Sequence, residues 1–241
     1  MKKVFETSNL SIFHQVLESF HRAQVLDHVV IIGSWALPIY RTYFQDSHDI
    51  PIMRTMDLDF LVSRKIWMRE NIDVDKLLCQ LGFTPVYSQM GEYVKYLNPE
   101  MEVEFLTEEL SKGDKRSIRI DSLNINAQPL RYQHFALEHT IKIHYRGYEL
   151  TVPEPSVYLL LKGIIARKRP KDQTLKIEKD RYVVIELGNY LIRNEVEKKK
   201  LLTYFHMMPS PWQKDFLLTV KETAPIVLDV FTSENSTSRH D

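Results

Sequence analysis

Residues 29–62 constrain the fold of this chain more than any other stretch. They begin with an apolar, β-branched run at 29–32, which ends at Gly33, and they close with the alternating segment that contains Asp57 and Asp59. Alternate side chains of an extended strand point to the same face, so the two aspartates share one face and the apolar residues around them share the other. The sequence therefore predicts a strand that carries two neighbouring carboxylates on one face.

Two close carboxylates repel each other on a strand unless water screens them or a cation lies between them. Oxygen-only ligands suit Mg²⁺, which binds one or two carboxylates together with the phosphates of a substrate. Upstream, Gly33-Ser34 lies between the apolar run and the helical pattern that begins at Ala36-Leu37, which is typical of a tight turn from a strand into a helix. Such a turn presents backbone N–H groups and a hydroxyl to an anion. One half of the stretch suits a metal ion and the other suits a phosphate.

A later strand supplies candidates for a third carboxylate. Residues 92–97 and 102–106 alternate in polarity on either side of the turn signal Asn98-Pro99, which predicts a β-hairpin. In its second strand Glu102 and Glu104 share one face. The spacing alone leaves both residues open as the third acid.

These residues together resemble a known superfamily. The turn at Gly33-Ser34, the strand Asp57-Leu-Asp59 and the strand Val103-Glu104-Phe105 are similar to the nucleotidyltransferases with the DNA-polymerase-β-like fold, over roughly the first half of the chain. The amino-acid sequences of residues 33–37 and 54–59 look most like those of bacterial branches of this superfamily, which contain uncharacterised and toxin-type members. The resemblance implies an α+β fold, in which a mixed sheet with flanking helices is followed by a helical C-terminal lobe. The spacing between Gly33 and Asp57 is wider than in compact members, which predicts an inserted loop at residues 48–51.

The resemblance implies a nucleotidyltransferase that moves a nucleoside monophosphate from an NTP, such as ATP, to a hydroxyl and releases pyrophosphate. Asp57, Asp59 and Glu104 are the expected catalytic residues and the ligands of a two-metal site for Mg²⁺ or Mn²⁺. Glu104 is preferred to Glu102, because Val-Glu-Phe-Leu is similar to the apolar-acid-apolar strand of the family.

The same resemblance implies residues that bind the nucleotide. Gly33 and Ser34 are expected to cradle the β- and γ-phosphates. In the second half of the chain, the segment around Lys162 and the pair Lys179-Asp180 resemble a basic pattern of toxin-type members, whose lysines reach the triphosphate. Lys171-Asp172 is a rival match, but Lys179-Asp180 continues into a regular helical pattern.

The acceptor stays open between the 3′ end of an RNA such as tRNA, a protein side chain and a small molecule, and an antitoxin partner is a further expectation from the toxin-type members. Residues 162–200 carry about twice as many basic as acidic residues, which favours RNA. The alternative function is a nucleotide-binding or interaction module of the same fold that does no chemistry. The presence of both Asp57 and Asp59 argues against that alternative.

The bulk composition is ordinary for a globular protein, with 44% hydrophobic residues, 27% charged residues and no net charge. No global field therefore draws the chain to nucleic acid or to an anionic membrane. The single cysteine, Cys79, excludes an internal disulfide and a cysteine-based zinc site, and its apolar helical setting predicts a core position. The sequence lacks a signal-peptide pattern and a membrane-spanning run, so a cytoplasmic protein without membrane contact is expected.

The order of the predicted elements indicates two lobes. We expect residues 1–152 to form the nucleotidyltransferase core with an N-terminal helix, residues 153–231 to form a helical lobe, and residues 232–241 to be a disordered tail. The hydrophobic periodicity also predicts one continuous strand over 118–125 and one continuous helix over 212–228.

Overall fold

The computed structural model describes residues 2–45, 47–53, 55–87, 94–110, 113 and 116–237, with side chains between residues 11 and 232 of these ranges. Arg54 and Glu92, which belong to two of the predicted motifs, lie outside the described residues. The chain divides into two compact units. The first contains the residues up to Tyr43 and Ile52–Pro153, and the second contains Phe44–Pro51 and the residues from Glu154 onward.

The first unit is built from strands with helices beside them. Its described strands are β1 (Val29–Ile32), β2 (Asp57–Val62), β3 (Thr84–Tyr87), β4 (Val94–Asn98), β5 (Met101–Glu108), β6 (Ile118–Ile120), β7 (Ile125–Leu130), β8 (Thr140–Tyr145) and β9 (Tyr148–Pro153). Its described helices are α1 (Lys2–Arg22), α2 (Ala36–Tyr43), α3 (Val74–Gln80) and α4 (Gln133–Glu138). Short 3₁₀ turns cover Val25–His28, Gly33–Trp35 and Asp121–Leu123.

The main sheet is mixed. Its strands lie in the order β1-β2-β5-β4-β3, and β7 pairs with both β5 and β6. The pairs β2–β5 and β5–β7 are parallel, whereas β1–β2, β3–β4, β4–β5 and β6–β7 are antiparallel. Strands β8 and β9 form a separate antiparallel hairpin. The predicted mixed sheet with flanking helices is confirmed.

One face of the sheet is packed beneath α1. The ring of Phe20 lies 5.1 Å from the ring of Phe60 and 6.4 Å from that of Phe105, measured between centroids. All three rings are fully buried, as are Leu58 and Val103 on the same two strands. Burial of each such side chain contributes about 1.5–3 kcal/mol to folding, whereas a charge placed there would lose its hydration. The acidic residues that alternate with them therefore face the opposite side of the sheet.

The second unit is helical, as the sequence predicts. Its described helices are α5 (Pro155–Lys168), α6 (Thr174–Arg193), α7 (Glu195–Met207), α8 (Ser210–Thr223) and α9 (Pro225–Thr237). Helix α5 packs against α6, α7 and α8, and its side chains are buried over most of its surface. Gly163 of α5 permits close contact with α8, because a Cβ atom at this position would lie 2.5 Å from Cδ2 of Phe216.

The segment Phe44–Pro51, which contains the inserted loop predicted at residues 48–51, belongs to the helical unit. The ring of Phe44 lies 4.8 Å from that of Tyr190, and Ile50 is 1% exposed. Arg193 of α6 donates a hydrogen bond of 3.4 Å to the carboxylate of Asp49. The insertion thus packs as part of the second unit.

Several local predictions differ from the structure. The segment 118–125 is interrupted by the turn Asp121–Leu123, because Asn124 adopts the left-handed conformation with φ of 53° and reverses the chain into β7. The expected helix over 212–228 is two helices, since Pro225 has no N–H to continue α8. Helix α9 includes residues 232–237 of the predicted tail, and 238–241 lie outside the described residues.

Two further differences concern α3 and α4. Cys79 is exposed and not in the core, because the buried positions of α3 are Val74 and Leu78, and Cys79 is turned away from that line. Helix α4 was not predicted.

Among the described residues, no helix is long and apolar enough to cross a membrane.

We expect Gly163→Ala to lower the free energy of unfolding by about 1–3 kcal/mol, because the added methyl group forces Phe216 out of its packed position. In an open helix the same change would stabilise the protein. Urea unfolding of the purified chain measures the effect. Leu175→Ala on the exposed face of α6, where the side chain is 79% exposed, is the control and should stay within about 0.5 kcal/mol of the original chain. An unchanged midpoint for Gly163→Ala would contradict the packing described for α5 and α8.

Candidate active site

The parallel pairing of β2 with β5 brings four acidic residues together. Asp57 is the register partner of Glu102, and Asp59 is the register partner of Glu104. Residues paired directly across two strands share a face, and Cβ atoms at such positions lie about 5 Å apart. Asp57 is exposed, and the other three are partly buried. The structure thus places the predicted catalytic acids on one face, next to each other in two columns.

The Gly33–Trp35 turn fixes one end of this acidic row. β1 pairs with β2 so that Ile32 is opposite Asp59, and the chain then turns at Gly33, whose φ is 67°. A Cβ atom on Gly33 would overlap Oδ2 of Asp59. Residue 33 must therefore be glycine for two reasons: its backbone conformation, and the closeness of the Asp59 carboxylate.

Packing on the other side holds the turn in place. Trp35 is buried and stacks on Phe13 of α1, with 4.0 Å between the ring centroids. Helix α2 then begins, and its Tyr40 donates a 2.7 Å hydrogen bond to the carbonyl oxygen of Pro153. Ser34 lies in the same turn and is partly exposed. Gly33, Ser34 and Asp59 are thereby placed in one small region of the first unit.

Lys95 is the main residue of this face that the sequence analysis missed. It lies on β4, opposite Glu104 in the antiparallel register, and its ammonium group forms ion pairs with both Glu102 and Glu104. Burial by itself lowers the pKa of Lys95, but the hydrogen bonds and charges of the two carboxylates outweigh it and raise the pKa. The hydrogen bond with Glu104, followed by burial, raises the pKa of Glu102 despite the nearby ammonium.

The sequence contained a signal for Lys95. A hairpin that turns at Asn98-Pro99 and pairs Asn98 with Met101 must also pair Lys95 with Glu104, three residues further from the turn on each strand. The register of the hairpin therefore could have placed a cation on the acidic face.

The face offers the ligand chemistry of a divalent metal ion. Its donors are carboxylate oxygens, which Mg²⁺ and Mn²⁺ prefer, and Asp57 and Asp59 are two residues apart on one strand. Within the described parts of the chain, however, no three His, Cys, Asp or Glu side chains are grouped closely enough to hold a metal ion. The donor types fit a divalent cation, while the third carboxylate, Glu102 or Glu104, is ion-paired with Lys95.

The two lysines expected at the nucleotide lie in the helical unit and have different surroundings. Lys162 of α5 donates a 2.8 Å hydrogen bond to Asp180 of α6, whose carboxylate also accepts a 2.6 Å bond from Arg169. The side chains of Lys162 and Asp180 are 15% and 3% exposed, respectively. Lys179 is exposed on α6. Their predicted role in nucleotide binding stays a prediction.

The ionisation of Lys162 contributes to stability. Burial lowers its pKa, but the neighbouring Tyr158 and Asp180 outweigh this and raise the pKa to about 12, above the ordinary value of 10.5. A raised pKa in the folded state means that the charged form is favoured by folding. The stabilisation is therefore complete below pH 10.5 and is lost as the pH rises through about 12.

A second ionic cluster in the helical unit was also missed. Lys200 of α7 lies 3.0 Å from the carboxylates of both Glu154 and Glu197, which are 4% and 5% exposed. Burial raises the pKa of Glu154, and the Lys200 ammonium only partly opposes this. The cluster ties the start of α5 to α7.

Comparison with known proteins gives one strong result. A family model described as nucleotidyltransferase matches residues 11–201, which is more than half of the chain. The matched range contains Gly33, Ser34 and all four acids of the candidate site. A search of curated proteins gave no match.

Two solved structures are similar over most of the chain. One is an antigenic nucleotidyltransferase-like protein from Paracoccidioides brasiliensis, with 16% identity, coverage of 84% of this chain and 91% of that chain, and a TM-score of 0.40. The other is the antibiotic-resistance factor ANT(2'')-Ia, with 9% identity, coverage of 97% and 96%, and a TM-score of 0.39.

We expect Gly33→Ala to lower the free energy of unfolding more than Gly147→Ala does. Both glycines have positive φ, 67° and 92°, so both substitutions strain the backbone by about 1–2 kcal/mol. Only the methyl group at residue 33 meets another atom, in Asp59, whereas nothing lies within 4 Å of the Cβ position at Gly147. Urea unfolding should show an additional loss of about 1–3 kcal/mol for Gly33→Ala. Equal losses in the two variants would show that Asp59 does not lie against the turn.

We expect Lys162 and Lys179 of the helical unit to differ in their effects on stability and on ATP binding. Lys162→Met leaves the buried Asp180 with Arg169 alone and should cost about 3 kcal/mol of unfolding free energy, whereas the exposed Lys179→Met should stay within about 0.5 kcal/mol. Lys179→Met should instead weaken ATP binding in calorimetry, because it removes an exposed point charge for phosphate. Unchanged ATP affinity in both variants would exclude both lysines from the nucleotide site.

Proposed function

Because the chain belongs to the nucleotidyltransferase family, we propose that it transfers a nucleoside monophosphate from an NTP to a hydroxyl acceptor in a reaction that depends on Mg²⁺ or Mn²⁺. The observation that supports this most is the strand register that puts Asp57 and Asp59 on one face with Glu104, beside the turn at Gly33 and Ser34. The site combines oxygen ligands for a cation with backbone and hydroxyl groups for phosphate.

In the proposed reaction, the acceptor hydroxyl attacks the α-phosphorus of the NTP and forms a new P–O bond. The bond from the α-phosphorus to the oxygen that bridges it to the β-phosphate breaks, and pyrophosphate leaves with the electron pair. The hydroxyl proton passes to solvent. Such a transfer requires positioning and charge neutralisation more than a nucleophile from the protein.

Each part of the site has a proposed task. Asp57 and Asp59 would hold Mg²⁺, which when bound neutralises charge on the phosphoryl oxygens. Gly33 keeps the Asp59 carboxylate beside the turn, and the turn and the Ser34 hydroxyl bind the β- and γ-phosphates. Glu104 is the proposed third acid.

For the acceptor we propose an RNA 3′ end. The support is the basic excess of residues 162–200, in which Lys171, Lys176 and Lys179 are exposed on and before α6. A toxin role with an antitoxin partner is part of the same proposal and rests on the resemblance of the Gly33 and Asp57 motifs to toxin-type members. A protein side chain or a small molecule is the competing acceptor.

The test is to incubate the purified chain with each α-labelled NTP, with Mg²⁺, and with bulk RNA, the protein alone, or a panel of small-molecule alcohols. Asp59→Asn is expected to lower the rate of label transfer at least about 100-fold, since it removes a charged ligand of the divalent ion that neutralises the reacting phosphate. Asp121→Asn, an exposed aspartate of the same unit, is the control and should leave the rate unchanged.

The variants Glu104→Gln and Glu102→Gln identify the third acid, because only replacement of the residue that contributes to the reaction should lower the rate of label transfer. Label that moves to RNA supports the proposed acceptor, whereas label on the protein or on an alcohol identifies a competing one. Nucleotide binding without transfer to any acceptor would instead establish the binding-module alternative. Full activity in Asp59→Asn would overturn the assignment of the site.

A further inference from the structure

We propose that Lys95 takes the place of the second divalent cation on the acidic face, so that the site binds one divalent ion, at Asp57 and Asp59, and holds a fixed ammonium group at Glu102 and Glu104. This inference rests on the proposed function and departs from the two-metal site that the family resemblance implies. Lys95 is thereby assigned as a positioning residue of the reaction.

The position of Lys95 is set by strand register and not by a flexible loop. Glu104 lies in the middle of β5, with Asp59 of β2 opposite it on one side and Lys95 of β4 opposite it on the other. The alternating side chains of β4 bury Val94 and Tyr96, which leaves Lys95 on the acidic face. A row of three strands therefore presents acid, acid and base in order.

The contacts of Lys95 match those of a bridging cation. Its ammonium group is ion-paired with Glu102 and with Glu104, which are two residues apart on β5. The side chains of Lys95 and Glu104 are 36% and 14% exposed, so the contact is only partly screened by water. A cation in this place neutralises the repulsion between two carboxylates on the same face, which is the task that a second metal ion would have.

A divalent ion and the ammonium group cannot both occupy this pair of carboxylates. Each would place positive charge within contact distance of the same oxygens, and the two would repel. Asp57 and Asp59, in the adjacent strand, remain as the metal-binding pair.

A tethered ammonium group has a consequence that a metal ion does not. It cannot dissociate or exchange, so the charge beside Glu104 is present at every metal concentration and in the absence of nucleotide. The geometry of Glu102 and Glu104 is then fixed before substrate binds, and only the charge at Asp57 and Asp59 depends on the metal ion.

The experiment counts Mn²⁺ by electron paramagnetic resonance in the purified full chain, without nucleotide, in wild type, Lys95→Met and Lys95→Met/Glu104→Gln. We expect Lys95→Met to bind one more Mn²⁺ per chain than wild type, because the carboxylate pair becomes open to a metal ion. The double variant should lose the additional site. An equal Mn²⁺ count in wild type and Lys95→Met would overturn the proposal.

Lys142→Met is the matched control. Lys142 also pairs across two antiparallel strands with a glutamate, Glu149, at an N–O distance of 2.6 Å, but it lies on the β8–β9 hairpin. Its removal should leave the Mn²⁺ count unchanged, and a gain there would show that any exposed glutamate freed from a lysine binds Mn²⁺, which overturns the specific assignment. Lys95→Arg keeps the charge and should retain the wild-type count.

The count is independent of turnover, so the two proposals can fail separately. An additional Mn²⁺ site in Lys95→Met without nucleotide transfer by wild type supports the pairing of Lys95 with the carboxylates in place of a metal ion, and it overturns the proposed function. Transfer by wild type with no additional site in Lys95→Met does the reverse. If Lys95→Met does not fold, Lys95→Gln removes the charge with a polar side chain and leaves the same carboxylate pair open, so it should gain the Mn²⁺ site or overturn the proposal.

Discussion

The repulsion among acidic side chains on one face of the sheet is the constraint on which the site depends. Burial of Phe60 and Phe105 beneath α1 fixes the opposite face, and the two-residue alternation of the strands then leaves Asp59 and Glu104 side by side. Such a face costs stability unless cations compensate it. Lys95 supplies one positive charge from within the chain, and we propose that a divalent ion supplies the rest.

A glycine and a lysine determine where the acidic side chains of the site lie. Gly33 has no side chain, so the Asp59 carboxylate can lie directly against the turn that follows β1. Lys95 connects the two acids of β5 from the neighbouring strand. One charged side chain also pairs with two of opposite charge in the helical unit. Asp180 forms ion pairs with Lys162 and Arg169, and Lys200 forms ion pairs with Glu154 and Glu197. Because buried charges must be paired, each of these groups restricts how its helices or strands can pack.

The sequence predicted the elements whose cause is local. Period-two alternation identified the strands of Asp57 and Glu104. The Asn98-Pro99 turn identified β4 as the strand that forms a hairpin with the strand of Glu104. What it could not predict depends on tertiary packing: the exposure of Cys79 and the assignment of residues 44–51 to the helical unit. The helix break at Pro225 has a local cause, the missing N–H of proline, and the sequence contained the signal for it. The partner of Lys162 is of this kind, because a helical pattern shows that the residue lies near an apolar stripe but not which carboxylate meets it.

A crystal structure of the chain with Mn²⁺ and α,β-methylene ATP, with the anomalous signal of manganese, tests the central claim most directly. The account predicts manganese bound to the carboxylates of Asp57 and Asp59, with the triphosphate against the turn at Gly33 and Ser34 and with Lys95 still paired to Glu104. Manganese or nucleotide bound elsewhere on the chain, with Asp57 and Asp59 contacting neither, would contradict it.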